Sequence, residues 1–194
     1  MSSALRLPPR RLTVPEFLEW ADATPGRWQL RDGEPELMAP PVDAHGSTQA
    51  ELVVLISNHL RSVGSRCRVV VGPGVVPRVR SDRNMLVPDL AVTCAPPSRE
   101  RALPEPLVLF EVLSPSNEAD TWANVWAYTT IPSVAEIVVV GSVAVGAEVL
   151  RRRPDGSWPE GPEAVGPADA LRVGAIGFEV PLRDLYRTSP LADG

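Results

Sequence analysis

Apolar residues recur at two spacings along this 194-residue chain, and the change from one spacing to the other marks out its elements. From 47 to 63, Leu52, Leu55, Ile56, His59, Leu60 and Val63 fall at helical intervals and Gly64 provides a stop. That predicts the clearest helix, one that packs on a sheet. A shorter helix is predicted from Thr13 to about Asp22, where Thr13-Val14-Pro15-Glu16 joins a capping box to an early-helix proline. Trp28 and Leu30 alternate ahead of Asp32-Gly33, and Leu37 and Met38 follow it, the pattern of a β-hairpin. The following PPVDAHG reads as a loop.

Short apolar runs then succeed one another at strand length: 68 to 71, 75 to 80, 85 to 92 and 107 to 113, separated by Gly-Pro-Gly, Ser-Asp-Arg-Asn and a Pro-rich connection. A helical segment follows at ADTWANVWAYTT, with Trp122, Val125 and Trp126 as its apolar stripe and an end near Pro132. EIVVV and VAVGAEVLRR resume as strands, RRRPDGS is a turn, and a Pro/Gly/Glu-rich stretch from 154 to 167 leads to short apolar pieces. The expected class is α/β (α+β), a mixed, mostly antiparallel sheet flanked by helices. No repeat or linker divides the chain, so we expect a flexible segment over 1–12 and one domain over 13–194.

Composition sharpens this picture. The 22 prolines and 14 glycines favour many short elements over long helices. The formal charge of -5 excludes a global positive field for nonspecific nucleic-acid binding, so any such contact must be local. All 19 basic side chains are arginine, and lysine is absent. Cys67 and Cys94 have neither metal-knuckle spacing nor a disulfide framework, which suits a reducing cytoplasm. The longest apolar stretch is broken by Gly and Glu148, which leaves no membrane span and predicts a soluble, cytoplasmic protein.

Two carboxylates stand out against the pattern. In LVLFEVL, Glu111 shares a face with Leu109 and Leu113, while Val108, Phe110 and Val112 take the other, so the strand is central and Glu111 needs a partner. Asp89 follows Pro88, which has no backbone donor and interrupts the strand just where the carboxylate emerges. If the two strands are neighbours, Asp89 and Glu111 converge and repel, and a divalent cation relieves the repulsion; Mg²⁺ suits one or two carboxylates plus water and phosphate oxygens. The alternative is a strand-end cap for Asp89 and an arginine partner for Glu111. His59, on the apolar stripe, reads as a packed core residue, and Arg151, Arg152 and Arg153 as a solvated turn.

Pro88-Asp89, then Glu111 in an apolar strand followed by Leu113-Ser114-Pro115-Ser116, resembles the PD-(D/E)XK nuclease superfamily, in particular its Uma-type restriction endonuclease branch of small bacterial proteins. WQLRDGEPELMAPP, His45, EVLSPSN, Asp120, Tyr128 and IPSVAEIVVV match in order, over roughly residues 13 to 150. The resemblance implies a restriction-endonuclease-like core, Asp89, Glu111 and the Val112 carbonyl as ligands of Mg²⁺ (or Mn²⁺), and hydrolysis of DNA phosphodiesters. It implies a homodimer as well, since such enzymes often pair two sites to cut two strands. His45 would act as a hydrogen-bond donor or base. The superfamily's lysine position falls on Leu113, and the branch's on Asn124; the usual Glu of the first hairpin strand is Gln29. Asn124 orients water but carries no charge, which sets a second expectation beside the nuclease: a nuclease fold serving as a binding or regulatory module.

Overall fold

The computed structural model describes residues 10 to 192. Of the segment expected to be flexible, 1 to 9 lie outside the described residues, and Leu12 departs from the expectation. It is buried, and its N–H donates to the Gly33 carbonyl at 2.7 Å. Helix α1 (Val14–Asp22) begins at the expected capping box, where the Thr13 N–H and hydroxyl donate to the Glu16 carboxylate at 2.8 and 2.9 Å. Strands β1 (Trp28–Arg31) and β2 (Glu34–Leu37) make the predicted hairpin with Gln29 opposite Glu36. Asp32 and Gly33 turn it with φ of 50° and 82°, the left-handed pair that an Asp-Gly hairpin turn adopts.

Helix α2 (Asp43–Ser62) starts four residues earlier than periodicity indicates. Its first turn is polar and so invisible to an apolar repeat, and Asp43 there complements the positive end of the helix. His45 therefore sits on a helix, not in a loop. Leu52, Ile56 and Leu60 are buried, about 1.5–3 kcal/mol each, while Val63 is exposed beyond the helix end.

Strands β3 (Arg68–Val71), β4 (Leu90–Thr93), β5 (Pro106–Leu113), β6 (Glu136–Gly141), β7 (Ala147–Arg151) and β8 (Glu163–Val165) form one sheet in that order. Only β5 and β6 run parallel, and helix α3 (Glu118–Tyr128) lies between them in sequence. The result is a mixed, mostly antiparallel sheet flanked by helices, as expected for a restriction-endonuclease-like core. β5 is interior and alternates as read: Phe110 and Val112 pack with Leu52 and Ile56 of α2, and Leu109 packs with Val125 and Tyr128 of α3. A second hairpin, β9 (Ala170–Val173) with β10 (Phe178–Pro181), and a 3₁₀ turn at Leu182–Tyr186 complete the α2 side.

Several sequence expectations change. The run 75 to 80 is no strand: Val75 makes a bridge to Leu86, and after Pro77 the N–H groups of Arg78 and Val79 turn to the Thr130 hydroxyl. The strand expected over 85 to 92 is split by Pro88, with bridges at Met85 and Leu86 before it and β4 after it. Residues 143 to 146 form the turn into β7 instead of strand. On α3 the buried face is Thr121, Asn124, Val125 and Tyr128, while Trp126 stays 42% exposed. The polar positions prevail because that face closes over Glu111.

Cys67 and Cys94, not expected to pair, form a disulfide. Antiparallel β3–β4 sets Arg68 opposite Thr93, and one step outward the same register sets Cys67 opposite Cys94. The spacing is uninformative because the pairing arises across the sheet. His59 accords with the expectation, its Nε2 2.9 Å from the Ile176 carbonyl and its ring edge-on to Phe178. Among the described residues no helix is long and apolar enough to cross a membrane.

Candidate active site

Three elements converge where Pro88 breaks the strand. Extending the β4–β5 register past Leu90 and Phe110 brings Asp89 opposite Glu111 and Pro88 opposite Val112. Glu111 lies on the α3 face of β5 and accepts the Tyr128 hydroxyl at 2.7 Å. Asp89 Oδ2 accepts the Val112 N–H at 2.8 Å, taking the place of a ladder bond. Pro88 has no N–H to return, so the strand pairing supplies no donor from that position to the Val112 carbonyl. Helix α2 supplies the other wall: His45 Nε2 lies 3.1 Å from Asp89 Oδ1, and Gln49 Nε2 donates to the Asp89 carbonyl at 3.0 Å. A carboxylate accepts only, so His45 presents its Nε2–H.

The electrostatics follow from this crowding. Burial, and then the charge of Asp89, push the Glu111 carboxyl well above its usual range, against the Tyr128 hydrogen bond, which lowers it. Burial and the charge of Glu111 push the Tyr128 hydroxyl well up as well, opposed by the positive charge of Arg31. The arginine partner that the alternative reading assigns to Glu111 is not there: its side-chain partner is Tyr128. The pair is two converging carboxylates, Asp89 held by His45 and Glu111 by Tyr128.

These groups open into a cleft of about 470 Å³. Asp89, Glu111, His45 and Asn124 all line it. Asn124 is buried, and its Oδ1 takes no hydrogen bond among the described residues. Gln29 is buried too, with Nε2 donating to Glu36 Oε2 at 2.9 Å. Sequence reasoning missed several lining groups, among them Arg31, Glu36 and Gln49. Two were signalled, because strand alternation puts Arg31 on the face of Gln29, and hairpin register puts Glu36 opposite Gln29. Gln49 carried no such mark.

Among the described residues no three His, Cys, Asp or Glu side chains cluster as a metal site. The donor set is nevertheless of the kind Mg²⁺ takes: two carboxylates, one of them held protonated-prone by the other, beside a main-chain carbonyl facing a proline. Oxygen donors with room left for water fit a hard cation.

Comparison with known proteins gives the family of the chain. The sequence profile of a family described as Uma2, "Putative restriction endonuclease", matches residues 14–180. The chain belongs to the Uma2 family. An uncharacterized protein of the cyanobacterium Synechocystis is 27% identical over 180 residues, covering 91% of this chain and 92% of that one. A crystal structure described as a "putative nuclease belonging to DUF820" from Anabaena variabilis superposes with a TM-score of 0.71 at 17% identity, over 90% of this chain and 97% of that one, a likeness of fold. The Uma2 match reaches past the roughly 13 to 150 that the sequence resemblance covers, as far as Val180 in β10.

Proposed function

We propose that this Uma2 protein is a metal-dependent endonuclease hydrolysing DNA phosphodiesters, with Asp89, Glu111 and the Val112 carbonyl holding Mg²⁺ or Mn²⁺. The observation that carries this reading is the pairing of buried Glu111 with half-buried Asp89 at the base of an open cleft, beside a carbonyl that Pro88 cannot serve. An ion bound there supplies a more acidic water and a polarised phosphate. The chain's own groups orient the donors. His45 donates to Asp89 Oδ1 and the Val112 N–H to Oδ2, which fixes the plane of that carboxylate. Tyr128 fixes Glu111 through Oε1. Asn124 Oδ1 is placed to accept from a water entering the cleft. The 3′ oxygen of the cut strand would leave.

The test is supercoiled plasmid incubated with pure protein, with and without Mg²⁺ or Mn²⁺, beside Asp89→Ala. We expect nicking that needs the metal and is lost in the variant; cleavage that survives Asp89→Ala would refute the reading. Calorimetric titration with Mg²⁺ should likewise give binding that both Asp89→Ala and Glu111→Ala remove. Cutting both strands calls for two sites, so a homodimer is the proposed working form.

A neutral Asn124 in the lysine position favours a second reading, a nuclease fold that binds DNA without cutting it. On that reading the wild type binds duplex but does not nick it, and Asn124→Lys creates cleavage.

A further inference from the structure

The cleft walls carry Glu36, Asp89, Glu111 and Asp120, four carboxylates that would repel a phosphodiester. Two cations line the same space, Arg27 and Arg31. Arg27 is exposed and its guanidinium lies against Gly72, so close that a Cβ there would fall 2.0 Å from Nη2. Arg31 is different in kind. Its side chain is only 21% exposed, against 50–70% for Arg10, Arg11, Arg80, Arg83, Arg101 and Arg172, all of them in surface ion pairs. Strand alternation on β1 sends Trp28 and Leu30 into the core and aims Gln29 and Arg31 at the cleft.

What holds Arg31 also leaves it available. Its Nε lies 3.0 Å from Glu36 Oε1, and Glu36 is fixed in turn by Gln29. Its Nη1 is 3.7 Å from Asp120 Oδ1 and 3.4 Å from the Asp120 carbonyl, long contacts to a carboxylate that is 74% exposed. The hydrogen bonds it donates among the described residues run from Nε and Nη1, which leaves Nη2 to donate elsewhere. A guanidinium anchored at Nε with its terminal nitrogens weakly engaged is arranged for the two-pronged contact that phosphate oxygens accept.

We propose that Arg31 is the phosphate-binding cation of this cleft, supplying from the first hairpin the positive charge that a lysine at position 124 or 113 would supply. The proposal rests on the nuclease reading of the same site. On binding DNA, Arg31 would exchange its long contacts to Asp120 for a phosphate, keeping Glu36 as its anchor. Asn124, with its unpartnered Oδ1, would then face the water and leave the charge to Arg31.

The test uses the full chain and three variants, Arg31→Gln, Arg31→Lys and Arg31→Gln/Asn124→Lys. Anisotropy of a labelled duplex oligonucleotide, read in EDTA across a salt series, reports phosphate contact without metal. We expect Arg31→Gln to weaken binding and reduce the slope of log affinity against log salt by about one, and Arg31→Lys to restore that slope. In the plasmid assay with Mg²⁺, Arg31→Gln should cut about 10²–10³-fold more slowly, and the double variant should regain most of the loss. An unchanged salt slope in Arg31→Gln overturns the proposal and leaves the nuclease reading standing if the wild type cuts. Failure of the double variant to regain cleavage overturns the lysine-like role. A wild type that neither binds nor cuts duplex overturns both readings together.

Discussion

Glu111 is opposed in its charged form first by burial and then by Asp89, so its folded pKa lies above the 4.5 of an unperturbed Glu side chain. Between those two values the folded protein holds a proton that the unfolded chain has released, and stability falls as pH rises through that window. Thermal unfolding in EDTA from pH 4.5 upward should therefore show the wild type losing stability that Glu111→Gln retains; parallel profiles would contradict the assignment. The same protonation competes with a cation, so Mg²⁺ affinity should rise with pH over that window, and Tyr128→Phe, which removes the hydrogen bond lowering Glu111, should move the rise to higher pH. At this scale the sequence was informative where a residue contradicted its surroundings: Asp89 after a proline and Glu111 in an apolar strand both marked themselves. Arg31 was marked only through Gln29, whose strand face it shares; a charged residue beside a hairpin turn is otherwise ordinary, and the fold reveals that this face is the cleft.

The hairpin β1–β2 carries Gln29, Arg31 and Glu36 as a unit, so the cleft depends on its turn. Gly33 has φ of 82°, and a Cβ there would meet Arg11 Cβ at 2.8 Å and the Leu12 carbonyl at 3.0 Å. Gly33→Ala should cost about 1–3 kcal/mol in denaturant unfolding and weaken duplex binding as the hairpin shifts. A variant with wild-type stability would show that the turn tolerates a side chain there. The hairpin, α1 and strands β3, β5 and β6 were legible because their periodicities are undisturbed and their turns use Gly, Pro or Asp-Gly; α3 was legible as a helix, though its buried face was not. The start of α2 was not, since its first turn is polar; nor was the fate of 75 to 80, where Pro77 ends pairing and a Thr130 hydroxyl from a distant turn takes the backbone donors. The Cys67–Cys94 bond escaped for a related reason, as strand register is a property of the pair and neither strand encodes it alone.

The molecule is held together from beyond the reach of its family match. That match ends at residue 180, yet Leu182, Leu185 and Tyr186 are buried in the same cluster as Leu52, Ile56 and Leu60 of α2. Tyr186 also donates to the Gly141 carbonyl at 2.9 Å and accepts the Gly146 N–H at 3.3 Å, clasping the β6–β7 turn. α2 is the element that places His45 and Gln49 against Asp89, so the segment after Pro181, packed in the same cluster as α2, supports the cleft through that helix. A chain ending at Pro181 would leave one face of α2 in water and lose three fully buried side chains, which is more than a marginally stable domain can spare. We expect it to lose cooperative unfolding, and Leu185→Ala in the full chain to cost about 2–5 kcal/mol with the fold intact. Calorimetry on both separates the possibilities: a truncated chain that still melts cooperatively near the wild-type temperature would mean that the sheet and α2 hold the site without this support.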